Sequence, residues 1–193
     1  LGVATWIAEC LVIAALEEGD RVIVAPVFAG AGSRLPFIIE GQKGIGAMQK
    51  MVSDLLAAPV SQDDWDVIPQ AGLGLLSSKL KPAAAVVMLS DALFDDPGDE
   101  FTRFSRRAQK SFRTLHMVEI DSWPHERALL RAKPFRLQAM AGKRFGDQLS
   151  EATDSFLAEA AALMAGRRKH LRACCTGPGM IWPKQPLSYP AQA

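Results

Sequence analysis

Ser90 and Asp91 are the neighbouring residues whose types and placement best suit chemistry. They close an apolar run, AAAVVMLSD over residues 83–91, that is bounded by Pro82 and by the acidic stretch that follows. A carboxylate at a strand end, beside hydroxyl groups, can bind or orient a ligand through water. It can also offer oxygens to a hard cation such as Mg²⁺, which takes octahedral oxygen ligands and keeps several waters. The competing use of Asp91 is to cap the turn or helix that follows, and for Ser90 that use is favoured. Asp121 repeats the placement at the end of the run Leu115–Ile120. The other reactive side chains form no pattern. His116, His125 and His170 share no metal-ligand spacing with one another or with Cys10, Cys174 and Cys175, which argues against a zinc centre. Three cysteines make no disulfide framework, and vicinal Cys174–Cys175 read as buried or half-buried thiols in a reducing compartment. Gly41, Gly44 and Gly46 lack the dinucleotide-fingerprint spacing and read as a glycine-rich helix entry. No G-x-S-x-G elbow, Walker A loop, H-E-x-x-H or D-x-D occurs, so no catalytic residue and no organic cofactor site is assigned.

Elements must carry these residues. A short apolar run between a proline and an acidic loop predicts a mid-sheet strand buried on both faces, as in parallel sheets covered by helices. Ligands of open α/β sheets gather outside the carboxyl ends of such strands, where Asp91 stands. Upstream, apolar Ile7, Leu11, Ala14 and Ala15 predict a helix over 3–18, stopped by Gly19. Val22–Ala25 predicts a second buried strand running on to Phe28, and helix, turn and strand make half of a parallel crossover. An edge strand is expected over 35–40. A helix follows over 46–57, with Met48, Met51, Val52, Leu55 and Leu56 inward, and another over 65–80 bends near Pro69. A helix over 100–111 carries Arg103, Arg106, Arg107 and Lys110, read as a solvated face with phosphate binding as the lesser alternative. Beyond the strand 115–120, the pattern gives a loop with a helical turn over 122–131 and a hairpin over 135–145. Last come a helix over 150–168 capped by Ser150 or Asp147, a final strand over 171–175, and an irregular tail.

The chain has 193 residues, 49% of them hydrophobic, and a formal net charge of +1. That suffices for one globular domain with a sizeable core and gives no charge argument for nucleic acid or anionic membrane. No apolar run approaches the roughly 18–20 residues that span a bilayer, and no signal-peptide pattern opens the chain. A cytoplasmic protein fits. The expected fold is α/β, a Rossmann-like, mostly parallel sheet flanked by helices, with a single domain over 1–175 and a Pro/Gly-rich tail over 176–193. The abrupt helical start at Leu1 suggests that a first strand lies further upstream.

Three stretches in this order, LEEGDRVIVAPVF (16–28), AAAVVMLSDALFDDP (83–97) and HMVEIDSWPHE (116–126), resemble landmarks of the DUF58 family, whose domain is von Willebrand factor A-like. The family's third landmark ends D-P-x-E; here Asp121-Ser122-Trp123-Pro124-His125-Glu126 sets two residues between aspartate and proline. The resemblance implies a Rossmann-like sheet with a metal-ion-dependent adhesion site, whose D-x-S-x-S would lie upstream of Leu1. Asp91 is the residue of this chain that matches such a site, so it is carried over as the metal ligand of an incomplete centre. Mg²⁺ would bind only with the upstream motif present. A non-catalytic role is implied as well, beside a MoxR-type AAA+ ATPase in the assembly or maturation of other proteins. The alternative is a small α/β metal-dependent enzyme using Asp91, with Asp121 as a possible second carboxylate.

Overall fold

Helix α1 (Gly2–Glu17) stops where a glycine can take the left-handed backbone that other residues resist. Gly19 has φ +82°; its N–H donates to Leu16 O, and the Asp20 N–H donates to Ala15 O. Those two bonds form the paired closure typical of a glycine-terminated helix. The computed structural model describes residues 2–25, 37–39, 43–57, 79–82, 84–94, 96, 98–110, 114–132, 151–175 and 177–188. The chain divides into two units, one holding the elements up to residue 57 and the other those from Lys81 onward.

In the first unit, strand β1 (Val22–Val24) pairs with strand β2 (Phe37–Ile39), and helix α2 (Lys43–Ala57) follows. The pairing is antiparallel, with Val22 opposite Ile39 and Val24 opposite Phe37. The parallel crossover expected for this strand is thus replaced by a two-stranded antiparallel ribbon. Val12, Ile39 and Met48 form the core, with Leu16, Val22, Val24, Met51 and Val52 packed on it. Val12, not Leu11, is the buried residue of α1, so the inward face is rotated by about one residue from the one expected. Gly44 lies in the first turn of α2, where a Cβ would come within 2.4 Å of Ile39 Cγ2. It is a packing glycine, in keeping with the glycine-rich helix entry.

The second unit is a Rossmann-like α/β arrangement. Strand β3 (Ala85–Ser90) lies parallel to strand β4 (Thr114–Asp121) over its full length, from Ala85 opposite Thr114 to Ser90 opposite Glu119. Helix α3 (Glu100–Lys110) connects them and packs on β4. The other side of β4 takes two short parallel strands, β5 (Met180–Ile181) at Leu115–His116 and β6 (Leu187–Ser188) at Ile120–Asp121. Between β4 and β5 come helices α4 (Trp123–Ala132) and α5 (Asp154–Cys174). Paired residues of parallel strands share a face, so Val86 and Leu115, Met88 and Met117, and Ser90 and Glu119 line one side. Leu115, Met117 and Glu119 are buried there.

Several expectations change at this level. β3 is covered on one face rather than two, and Val87 on the other face is 44% exposed. Among the described residues β3 has a single neighbour, β4, so β4 and not β3 is the inner strand. The loop with a helical turn expected over 122–131 is a ten-residue helix. Its start is fixed by Asp121 Oδ1, which accepts the Trp123 N–H, and by Ser122 Oγ, which donates to Glu126; Pro124 falls where its missing N–H costs nothing. The last long helix is capped by Thr153, whose Oγ1 accepts the Phe156 N–H, and not by Ser150 or Asp147. It runs through Cys174, so 171–174 is helical and Cys175 is the C-cap. Leu171 and Cys175, four residues apart, are both buried, a helical spacing rather than a strand's alternation. The tail expected to be irregular supplies β5 and β6. The helix expected over 65–80, apart from its last two residues, and the hairpin over 135–145 lie outside the described residues.

Candidate functional site

The carboxyl ends of β3 and β4 meet at one rim, and Asp91 and Asp121 both stand on it. Immediately after β3 the backbone turns sharply. The Ala92 N–H donates to Ser90 Oγ at 3.0 Å, and the Leu93 N–H donates to Asp91 Oδ1 at 3.1 Å. Ala92 is fully buried with φ +56°, a conformation that costs a residue bearing a Cβ about 1–2 kcal/mol. Strain of this kind survives only where surrounding contacts hold it. Here helix α5 does so: Arg168 Nε donates to Asp91 O at 3.0 Å, and Arg167 Nη1 donates to Leu93 O at 3.0 Å. Asp91 itself is exposed, with Oδ2 left without a partner among the described residues.

Asp121 is placed differently. Its Oδ1 accepts from Arg168 Nη2 at 3.1 Å as well as from the Trp123 N–H. One guanidinium therefore bridges the turn after β3 and the end of β4. Below it, Glu119 sits 6% exposed on the sheet's buried face. Its Oε2 accepts from Arg172 Nη2 and from Trp182 Nε1, each at 3.0 Å, and its Oε1 lies 3.4 Å from Arg168 Nε. Arg172 also donates to Pro183 O, and its guanidinium carbon lies 5.1 Å from the centre of the Trp182 ring. The buried Arg172 Nε has no hydrogen-bond partner among the described residues.

The two aspartates singled out by sequence do come together at the rim. The arginines and Glu119 that organise it were missed. A signal for Glu119 existed, since a lone carboxylate inside the apolar strand HMVEID must find a cationic partner if it is buried. The arginines of α5 gave none, because basic residues near the end of a helix are favourable there whatever else they touch.

The family resemblance implies a hard divalent cation at Asp91. Such an ion asks for about six oxygens in octahedral array. Among the described residues, Ser90 Oγ and Asp91 Oδ1 are turned onto amides of their own loop, and Asp121 is bound to a guanidinium. No group of three His, Cys, Asp or Glu side chains among those residues could hold a metal. The residues present do not fit the ion.

The remaining reactive groups lie elsewhere. His170 Nε2 is 3.7 Å from Cys174 Sγ, an i, i+4 contact along α5. Arg103, Arg106, Arg107 and Lys110 are all exposed on α3, in keeping with a solvated face. Cys10 is exposed and Cys175 buried. Burial pushes the Cys175 thiol up to about 11, against a partial offset from its hydrogen bond with Ser105. The thiolate is the reactive form. At pH 8, iodoacetamide should therefore alkylate Cys10 in the folded protein and spare Cys175 until denaturant is added, as peptide mass spectrometry would show. Equal labelling of the two would refute the buried placement.

No family model matches the chain, and no curated protein matches it. A similar solved structure is the conserved hypothetical protein BatB from Bacteroides thetaiotaomicron, at 11% identity and a TM-score of 0.40, covering 97% of this chain and 80% of that one. Among the described residues, no helix is long and apolar enough to cross a membrane.

Proposed function

We propose that the chain is a non-catalytic protein-interaction module, a von Willebrand A-like domain of the DUF58 type, that docks a MoxR-type AAA+ ATPase serving the assembly or maturation of other proteins. The observation that carries this reading is Asp91: an exposed carboxylate at the carboxyl rim of a parallel sheet, on a strained turn gripped by two arginines. A rigid, presented charge suits recognition, because little conformational freedom remains to be lost on binding. The competing enzymatic reading is left with Asp91 alone, because Asp121 is committed to Arg168 and to the start of α4.

Asp91→Asn separates charge from shape, since its amide oxygen can still accept the Leu93 N–H. Affinity capture from the native host, with the bound proteins identified by mass spectrometry, should recover a MoxR-type ATPase with the wild-type chain. The variant should recover about tenfold less, while melting within a degree or two of wild type. Absence of any such ATPase from the wild-type capture would defeat the proposal. So would Mg²⁺-dependent turnover, in a substrate screen, that Asp91→Asn abolishes.

A further inference from the structure

The rim has a positive charge of its own, beside the residue at which the resemblance asks for a metal. Arg168 is 15% exposed and makes three contacts there: its Nε donates to Asp91 O, its Nη2 donates to Asp121 Oδ1, and Glu119 Oε1 lies 3.4 Å away. A divalent ion at such a rim would join the loop after β3 to the end of β4 and neutralise the carboxylates between them. The guanidinium joins the same two segments and neutralises Asp121 and Glu119, touching Asp91 at its main-chain oxygen, through a planar fork suited to bonding several oxygens at once. It is delivered from α5 one turn before Arg172, which completes the neutralisation of Glu119.

We infer that Arg168 is the resident cation of this rim, standing in for a divalent metal and holding Asp91 in place without one. On the docking role proposed above, partner binding through Asp91 then requires no divalent ion. Removing Arg168 would leave two carboxylates and a carbonyl oxygen facing a vacated position, an all-oxygen set of the kind that hard cations take. Loss of the arginine should thus create a metal dependence that the wild-type chain lacks.

Thermal melting of the full chain tests this with no partner present, so its outcome is separate from that of the capture experiment. After treatment with EDTA, wild-type protein should melt at the same temperature with and without about 10 mM Mg²⁺ at matched ionic strength. Arg168→Met should melt about 5–10 °C lower and regain about 3 °C with Mg²⁺. Adding Asp121→Asn to that variant should remove the gain. Should Arg168→Met fail to fold, Arg168→Lys keeps the charge and should melt between wild type and the unfolded extreme, indifferent to Mg²⁺. Two results would overturn the inference: a Mg²⁺-dependent rise in wild-type melting that Asp91→Asn abolishes, or an Arg168→Met protein that melts like wild type.

Discussion

Replacing Glu119 with alanine should destabilise the protein by about 3–5 kcal/mol, against the total of about 5–15 kcal/mol typical of a folded domain. The magnitude follows from what the substitution strands. The carboxylate is 5% exposed and meets Arg172, Arg168 and the Trp182 indole. Without it, Arg172 keeps the Pro183 carbonyl and the face of the Trp182 ring among the described residues, and the half-buried indole N–H loses its acceptor. Breaking one side of a buried ion pair costs far more than the pair contributes over an apolar substitute, because the survivor stays charged and poorly solvated. Urea unfolding at neutral pH reads the loss directly, and Trp182 offers a local signal, its emission moving to the red as the indole becomes wet. Glu119→Gln, which retains an acceptor for the indole, should fall between. A loss for Glu119→Ala below about 1 kcal/mol, the range of exposed ion pairs, would mean that Glu119 is solvated and the network decorative.

Phe101→Ala should cost a similar amount, about 3–5 kcal/mol, for a different reason. Phe101, the second residue of α3, is 0% exposed and meets the Phe94 ring edge-on, the centroids 5.2 Å apart. Truncation leaves a cavity, and the edge-to-face contact, about 0.5–1.5 kcal/mol beyond area alone, is lost as well. Its consequence reaches the rim. Phe94 follows the strained turn by two residues, so the ring pair anchors the far end of the loop that carries Asp91. The Leu93 amide, held by Asp91 Oδ1, should therefore exchange its hydrogen faster in Phe101→Ala under native conditions. Unchanged exchange at Leu93 alongside the full stability loss would show that the turn stands on the arginines alone. The start of α3 has independent support, since Asp96 accepts the Phe101 and Thr102 N–H groups and the Thr102 hydroxyl.

Much of the second unit was legible in the sequence for simple reasons. Apolar stretches of strand length ending in aspartate gave β3 and β4, and the alternation around Leu115, Met117 and Glu119 fits a strand with one well-buried face. What failed was information held outside each stretch. The antiparallel pairing of β1 depends on β2, whose three residues carry no directional signal. Cys174 and Cys175 read as strand because a short apolar run does not reveal its period; the buried pair Leu171 and Cys175 reveals it only once burial is known. The aspartates of the rim were visible as strand ends. Their shared guanidinium partner, Arg168, sits 47 residues from one and 77 from the other, a pairing that only the fold defines.

The two short strands of the C-terminal segment bear on how the sheet ends. Trp182, Pro183, Lys184, Gln185 and Pro186 lie between β5 and β6, and neither proline has an N–H to offer. A further strand arriving on that side would find a broken ladder, with each paired stretch only two residues long. Exposed Ile181 and Leu187 are thereby denied the continuous backbone template that edge-to-edge aggregation requires. Where β4 would otherwise invite stacking of chain upon chain, the segment closes it off, and the indole anchored on Glu119 keeps that closure in place.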